Sequence, residues 1–464
     1  MPPDTHRLEI YRVAGIRAPP LGLAYLASAL MREGHEVAII DSPTLELSLR
    51  EFLDKVREFK PDVVGISVST PLAPKAYETA KRIKEQFPDL IIVGGGPHAT
   101  YMYEEALSNG IDIVVRFEGE VTTVELVKTL ERFGKDPEAL RKVKGIAFVD
   151  RDGKIVVTED RGFVENLDSI PFPAWHLLPM DRYTVLGKSI RVAHVIASRG
   201  CPYGCIFCLT SYYWGRRIRY RSPQNVAEEI QILVEKYGAK HIVFSDDNFA
   251  FSRRFVYELM DELQKRGIDV PFSCGARVDS LDKKFLEFLV RKGCTALYIG
   301  VESGSQETLD RIGKRITLDQ CRRVVEWTRE LNLFTMASFV IGFPWETVDD
   351  VRKTIEFAVK LDPSYAQFTV ATPYPGTPLF DYAVKNDLIV DWNWEHYTTV
   401  RPVMKGHYLD TKAIGRLLKE AYRRFYLRYK FLRRELASGR LRQLLPKIVR
   451  TALEGLIDLI RSRV

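Results

Sequence analysis

Over the first 145 residues the apolar positions switch repeatedly between two periods. "LGLAYLASALMREGH" carries hydrophobic residues at helical spacing and ends near Gly34, "EVAIIDS" is a short β-rich run, and "LSLREFLDKVREF" is helical again. "PDVVGISVST" reads as a buried strand, "KAYETAKRIKEQF" as a helix, and "LIIVGGGPHAT" as a strand ending in glycines. "EEALSNG" and "DIVVRFEGE" add one more helix and strand. Short apolar strands joined by helices predict a parallel sheet covered on both faces, a doubly wound α/β domain over residues 1–145. Its opening strand is weak, because only "RLEIYRV" precedes the first helix.

Residues 146–190 read as a connector: a hairpin around Asp152-Gly153, then the proline-rich "DSIPFPAWHLLPMDRY", an extended segment pinned across a surface. The α/β alternation then resumes. Strands are predicted at "HVIAS", "HIVFSDD", "PFSCGARV", "ALYIGVES", "TMASFVIGF" and "AQFTVATP". Helices such as "NVAEEIQILVEKY", "SRRFVYELMDELQKRG", "LDKKFLEFLVRKG" and "TVDDVRKTIEFAVKL" fall between them. Six βα units predict an open, partial (β/α)6 barrel over residues 191–385, with a helical C-terminal region over 386–464.

At 464 residues, 46% hydrophobic and 28% charged, the chain is long enough for two or three ordinary soluble domains. The N-terminus lacks the apolar core of a signal peptide and no run approaches a membrane span, so a cytoplasmic location is expected. The net charge of +7 is uneven: residues 411–464 hold 15 Lys and Arg against 4 Asp and Glu. "KEAYRRFYLRYKFLRREL" and "RLRQLLPKIVRTALEGLIDLIRSRV" read as basic amphipathic helices. Either they present a solvated face while packing on the barrel, or they lie against an anionic membrane surface or a greasy substrate. No base-stacking module is present, so no nucleic-acid partner is expected.

The candidate chemistry sits at residues 199–208, "RGCPYGCIFC", where Cys201, Cys205 and Cys208 take the spacing C-x3-C-x2-C. Six cysteines over this length do not make a disulfide framework, so reduced thiols are expected. The loop follows the first strand of the second α/β run, where ligands belong in such folds. Three thiolates on a compact loop can hold an iron–sulfur cubane and leave its fourth iron open. Two other readings stand beside this one. A zinc site needs a fourth ligand, and "CPYGCIFC" has no nearby His to supply it; buried structural cysteines are the other. Cys274, Cys294 and Cys321 read as small core residues.

With Phe207 immediately before the last cysteine, the motif resembles the signature of the radical S-adenosylmethionine (radical SAM) superfamily. The resemblance implies a [4Fe–4S] cluster on the three thiolates and S-adenosylmethionine on the open iron. It also implies reductive cleavage to a 5′-deoxyadenosyl radical, and an external electron donor such as ferredoxin or flavodoxin. Later strand ends follow the family's order. The resemblance implies Asp246, Asp247 or Asn248 of "FSDDNF" at the amino group and Arg277 of "CGARVD" at the carboxylate. Glu302 and Ser303 of "YIGVESGS" fall to the ribose, Ile341 and Gly342 of "FVIGFPWET" to the adenine, and Thr372 of "VATPYPGTP" to the same region. Asp-Asp-Asn departs from the Gly-Gly-Glu form of other branches, which leaves the amino-group ligand open among the three. Tyr374, expected near the barrel mouth, is the candidate catalytic acid or radical quencher.

No G-x-G-x-x-G opens the first helix, which speaks against a dinucleotide in the first domain. Leu21 and Gly22 of "PPLGLAYLASAL", then Ser67, Ser69 and Thr70 of "SVST", begin a different pattern. Gly94, Gly95, Gly96 and His98 of "GGGPHAT", and Glu118, Gly119 and Glu120 of "EGE", complete it. Together these resemble the Rossmann-like cobalamin-binding domains found ahead of many radical SAM cores, and imply a cobalamin held by these residues. The sequence lacks Asp-x-His-x-x-Gly, so His98 reads as a turn histidine and the cobalt is expected to have no protein ligand below; the alternative is a domain that binds no corrinoid.

The resemblance implies a cobalamin-dependent radical SAM methyltransferase acting on an unactivated carbon of a hydrophobic or lipid-like substrate. A cyclase or carbon–carbon bond-forming enzyme on a lipid or tetrapyrrole is the alternative within the class. Sulfur-inserting relatives carry extra N-terminal cysteines, and none precedes Cys201. From other classes come a non-catalytic corrinoid or iron–sulfur electron-transfer protein, with four protein ligands on its cluster, and a zinc-binding regulator.

Overall fold

The computed structural model describes Met1, residues 18–183 and residues 191–437. A five-stranded sheet carries β1 Val63–Ser67, β2 Ile91–Gly95, β3 Ile113–Val115, β4 Ile146–Val149 and β5 Ile155–Val157, in that spatial order. β1, β2 and β3 are parallel; β4 and β5 run antiparallel and close the hairpin around Asp152-Gly153. That hairpin, expected within a connector, lengthens the first sheet instead. Ile146, Ala147 and Phe148 are buried and pair with β3, so their apolar side chains complete the first core.

The helices Leu21–Arg32, Leu49–Phe59, Ala73–Gln86 and Tyr103–Ser108 follow the predicted pattern, and Glu120–Phe133 is a further helix that the pattern did not predict. Ser48 starts the second with a reciprocal cap: its hydroxyl accepts from Glu51 N–H while the Glu51 carboxylate accepts from Ser48 N–H. "LIIVGGGPHAT" divides, with the strand ending at Gly95 and Pro97–Tyr101 forming a short helix. Residues 36–42, where "EVAIIDS" predicts a strand, have no strand partner among the described residues, and Ser42 already opens a short helix. "RLEIYRV" and "RLRQLLPKIVRTALEGLIDLIRSRV" lie outside the described residues.

The second sheet holds β6 Val192–Val195, β9 His241–Phe244, β10 Phe272–Ala276, β11 Cys294–Glu302, β12 Phe334–Ile341 and β13 Tyr365–Val370. All are parallel, in the order β13-β12-β11-β10-β9-β6, so each βα unit lies beside its sequence neighbour as in an open barrel. A two-stranded ribbon, β7 Ser198–Arg199 with β8 Arg219–Tyr220, flanks the cysteine loop. The barrel helices start on short polar caps. Ser222, Ser252, Asp282, Thr317, Thr347 and Thr377 each accept a backbone N–H from the first turn. Cys274, Cys294 and Cys321 are buried in the barrel core, as expected.

The C-terminal helices Thr411–Tyr426 and Tyr429–Ala437 pack on the barrel through Ile414, Leu417, Leu418, Phe425 and Phe431. Before them the chain returns to the first domain. Trp394, Tyr397 and Val403 belong to the apolar core under β1 and β2, and Trp394 Nε1 donates to both carboxylate oxygens of Glu105 at 2.9 and 3.0 Å. Among the described residues no helix is long and apolar enough to cross a membrane.

Candidate functional site

The cysteine loop is held from several sides. Cys201 N–H donates to Gly215 O at 3.1 Å, Ile206 N–H to Ile312 O at 3.1 Å, and Leu379 N–H to Ile206 O at 3.0 Å. Gly200 sits at φ +97°, a conformation that favours glycine, and a Cβ there would collide with Arg217 O. The three cysteines are free thiols. Burial pushes the Cys201 thiol up to about 11 and also raises Cys205 and Cys208. Nearby Lys314 opposes that rise at Cys205, and the thiol lies 3.7 Å from Gly313 O. Among the described residues no three His, Cys, Asp or Glu side chains converge on a single-ion site. Three thiols on one loop suit a cluster with one open iron, whereas a closed zinc site needs a fourth ligand.

Several strand-end residues gather round this loop. Thr210 donates to Asp247 Oδ1 at 2.8 Å. Asp247 is solvent-exposed, yet the surrounding protein raises its carboxyl pKa, as in a concave site. Asn248 accepts from Arg277 N–H at 3.3 Å, while its buried Nδ2 has no partner. Glu302, at φ +66°, accepts from Lys314 at 2.6 Å and from Ser338 at 3.2 Å. Lys314 is buried; burial works against its charge, but Glu302 raises its pKa. Phe207 meets Phe343 edge-on with ring centres 5.7 Å apart, and Phe343 stacks on Trp345.

Other expected residues serve the scaffold. Asp246 accepts from Ala197 N–H at 3.1 Å and from the Ser198 hydroxyl at 2.5 Å, so both oxygens tie β9 to β7; burial lifts its carboxyl to about 6. Ser303 is fully buried and shares a hydrogen bond with Thr354 in the helix Val348–Leu361. Ile341 is enclosed in the core. Gly342, at φ +83°, is approached by Ile414 of the C-terminal helix, 3.0 Å from where a Cβ would lie, so that helix already covers this side of its backbone. Thr372 donates to Val370 O at 3.1 Å. Tyr374 does not point at the barrel mouth: its hydroxyl donates to Tyr397 O at 2.9 Å and its ring packs on the first domain's core.

A cleft opens at the C-terminal ends of β1 to β3. Leu21, Gly22, Ser67, Gly94, Gly95, Gly96, Gly119 and Glu120 line it, and the far wall is Tyr213 and Trp214, just after the cysteine loop. It continues along β1 to Met1 and Ala18, which flank residues outside the described ones. At Gly22 a Cβ would meet nothing within 4 Å, whereas Gly96 at φ +105° approaches Val68 O. Ser69, Thr70, His98 and Glu118 do not line the cleft. His98 is buried, with Nδ1 3.3 Å from Thr70 Oγ1 and its ring edge-on to Trp394, so it is turned away from the strand ends. Glu118 forms ion pairs with Arg199 and Arg219, and Glu120 with Arg199.

Two family models cover the two halves: the B12 binding domain over residues 10–127 and the Radical SAM superfamily over residues 195–358. An uncharacterized methyltransferase of Pyrococcus horikoshii is 39% identical over 98% of this chain and 97% of its own length. The chain belongs to the B12-binding radical SAM family. The anaerobic magnesium-protoporphyrin IX monomethyl ester cyclase of Rubrivivax gelatinosus is 32% identical over 89% of this chain and 75% of its own. The solved structure of the cobalamin-dependent radical enzyme OxsB, with aqua-cobalamin and S-adenosylmethionine bound, shares the fold. Its TM-score is 0.73 at 20% identity, covering 88% of this chain and 64% of the OxsB chain.

The cofactors of this radical SAM enzyme are a [4Fe–4S] cluster, S-adenosylmethionine and cobalamin, and the residues present fit them. Three thiols without a fourth donor suit the cluster, and the unpaired Asn248 Nδ2 beside Asp247 is a donor awaiting a partner. The cleft is lined by glycine backbone at Gly22, Gly94, Gly95, Gly96 and Gly119, which lets a large ligand approach the main chain closely. Tyr203, whose ring lies under the Arg277 guanidinium, Lys314, Arg199 and Trp214 were not legible as site residues. Tyr203 and Arg199 lie within the quoted cysteine stretch and so were the most accessible; Lys314 lies on a loop with no motif.

Proposed function

We propose that the protein is a cobalamin-dependent radical SAM methyltransferase, in which Cys201, Cys205 and Cys208 hold the cluster. The reading rests on one observation above the rest: Tyr213 and Trp214, which follow directly on the cysteine loop, form a wall of the first-domain cleft. Groups bound at the two sites therefore face a common space. When bound, they supply hydrogen abstraction from an unactivated carbon and delivery of a methyl group. The chain's own part is to orient and to exclude water. Asp247 and Asn248 meet the polar end of S-adenosylmethionine, Glu302 faces its ribose, and Phe207 with Phe343 provides an apolar wall.

In this reading residues 1–145 carry the corrinoid together with the hairpin strands β4 and β5, the rest of 146–190 connects, 191–385 form the radical core and 386–464 close it. The substrate is hydrophobic or lipid-like, electrons come from a ferredoxin or flavodoxin, and the protein works in the cytoplasm. Basic helices at the C-terminal end make peripheral contact with an anionic membrane: Leu427, Tyr429 and Leu436 are exposed there among arginines. Cyclisation of a tetrapyrrole is the second reading, favoured by the 32% identity to the magnesium-protoporphyrin cyclase.

Anaerobic reconstitution with iron, sulfide and hydroxocobalamin, followed by S-adenosylmethionine and a strong reductant, tests it. Formation of 5′-deoxyadenosine supports the radical core, and S-adenosylhomocysteine supports methyl transfer over cyclisation. Cys205→Ala is expected to abolish 5′-deoxyadenosine. Persistence of that product, or a lone zinc in the reconstituted protein, overturns the reading.

A further inference from the structure

Two routes of direct contact lead from the first-domain cleft to the cysteine loop. In the first, Glu120 lines the cleft and accepts from Arg199 Nη2 at 2.5 Å, and Arg199 stands two residues before Cys201. The neighbouring Glu118 accepts from Arg199 at 3.3 Å, from Arg219 at 2.7 and 3.0 Å, and from Val164 N–H at 2.8 Å. All four charged side chains are buried, so solvent and salt screen their attraction little. In the second route, Trp214 lines the cleft, with the Arg199 guanidinium 5.1 Å from its ring centre. The next residue, Gly215, provides the carbonyl that accepts Cys201 N–H. Arg199 and Arg219 pair across the β7–β8 ribbon, and Gly200, between Arg199 and Cys201, packs so close to Arg217 that a Cβ there would collide with Arg217 O. Where Glu120 and Trp214 stand therefore fixes where Cys201 is presented.

We infer that Arg199 and Trp214 are positioning residues that couple the two sites: a corrinoid in the cleft and a cluster on the thiols tighten each other's binding. The inference rests on the function proposed above. An occupant seated against Glu120 and Trp214 holds Arg199 and the ribbon in place, which spares the cluster the cost of ordering its loop. By linkage the cluster returns the same factor to the corrinoid.

The test is a visible-absorbance titration of the full chain with hydroxocobalamin under anaerobic conditions, with and without a reconstituted cluster. The cluster-loaded protein is expected to bind roughly tenfold more tightly, within the usual span of site–site coupling. In Glu120→Gln, which keeps an acceptor and loses the charge, and in Trp214→Leu, the ratio falls toward one, whatever each substitution does to the affinity of the cluster-free protein. Arg199→Met is expected to do the same; if it does not fold, the other two variants decide. A ratio of one in the unaltered protein, or a ratio that survives both Glu120→Gln and Trp214→Leu, overturns the coupling. Failure to bind hydroxocobalamin in either state overturns the reading of the cleft instead.

Discussion

The Arg277 guanidinium lies 3.4 Å from the centre of the Tyr203 ring, joining the end of β10 to the cysteine loop. Its other groups are engaged as well: Nε and Nη2 donate to Asp279 at 3.0 and 2.9 Å, and Nη2 also reaches Lys314 O at 2.5 Å. An arginine expected to meet the carboxylate of S-adenosylmethionine thus spends these donors fastening the loop to the neighbouring strand ends. Arg277→Lys keeps the charge but loses the planar stack and the fork of donors. It is expected to cost about 1–3 kcal/mol in thermal unfolding and to lower the iron retained per chain after gel filtration.

Gly200→Ala introduces a Cβ against Arg217 O at a backbone angle that alanine rarely adopts. A destabilisation of about 1–3 kcal/mol is expected, concentrated in the cysteine loop. Iron analysis after reconstitution is the measurement. The variant is expected to load poorly with iron while its secondary structure by circular dichroism stays unchanged.

His98→Ala separates a packing role from metal ligation. Buried against Trp394 and hydrogen-bonded near Thr70, His98 belongs to the first domain's core. Its loss is expected to lower stability by about 1–3 kcal/mol and to leave the visible spectrum of bound cobalamin unchanged. A spectral shift on substitution would mean that the histidine ligates cobalt.

The periodicity of apolar residues was enough to place six barrel strands, because in a parallel sheet each strand is a short buried run flanked by capped helices. The cysteine trio and Asp247, Asn248 and Glu302 were legible for the same reason: they stand at strand ends. What escaped was partnership. Asp246 and Asp247 are adjacent and chemically identical, yet in the turn that follows β9 one side chain meets Ser198 and the other meets Thr210 on the exposed side. Tyr374 looked free in sequence because its partner, the Tyr397 carbonyl, comes from a later return of the chain. The hairpin at Asp152-Gly153 was visible, but the sheet it would join was not, since thirty residues lie between β3 and β4.

Glu346 makes stability depend on pH. Its buried carboxylate accepts from Gly342 N–H at 2.8 Å and Phe343 N–H at 3.0 Å, but burial outweighs these bonds and pushes it from 4.5 to about 7. The folded chain therefore keeps this proton to a higher pH than the unfolded chain does. The associated stability is full below about 4.5, declines as pH rises toward 7 and is lost above it, about 3 kcal/mol in all. Denaturant unfolding across that range is expected to show the decline, and Glu346→Gln to flatten it.

The return of Trp394, Tyr397 and Val403 into the core beneath β1 and β2 binds the beginning of the polypeptide to its later part. Neither half is a detachable module. Cutting the chain after the barrel would strip three large side chains from the first domain and leave Glu105 without its indole donor. Excising the first domain would leave the same three exposed to water. Chimeras that exchange one half between relatives would have to carry residues 394–403 with the front half, although more than two hundred residues separate them from it.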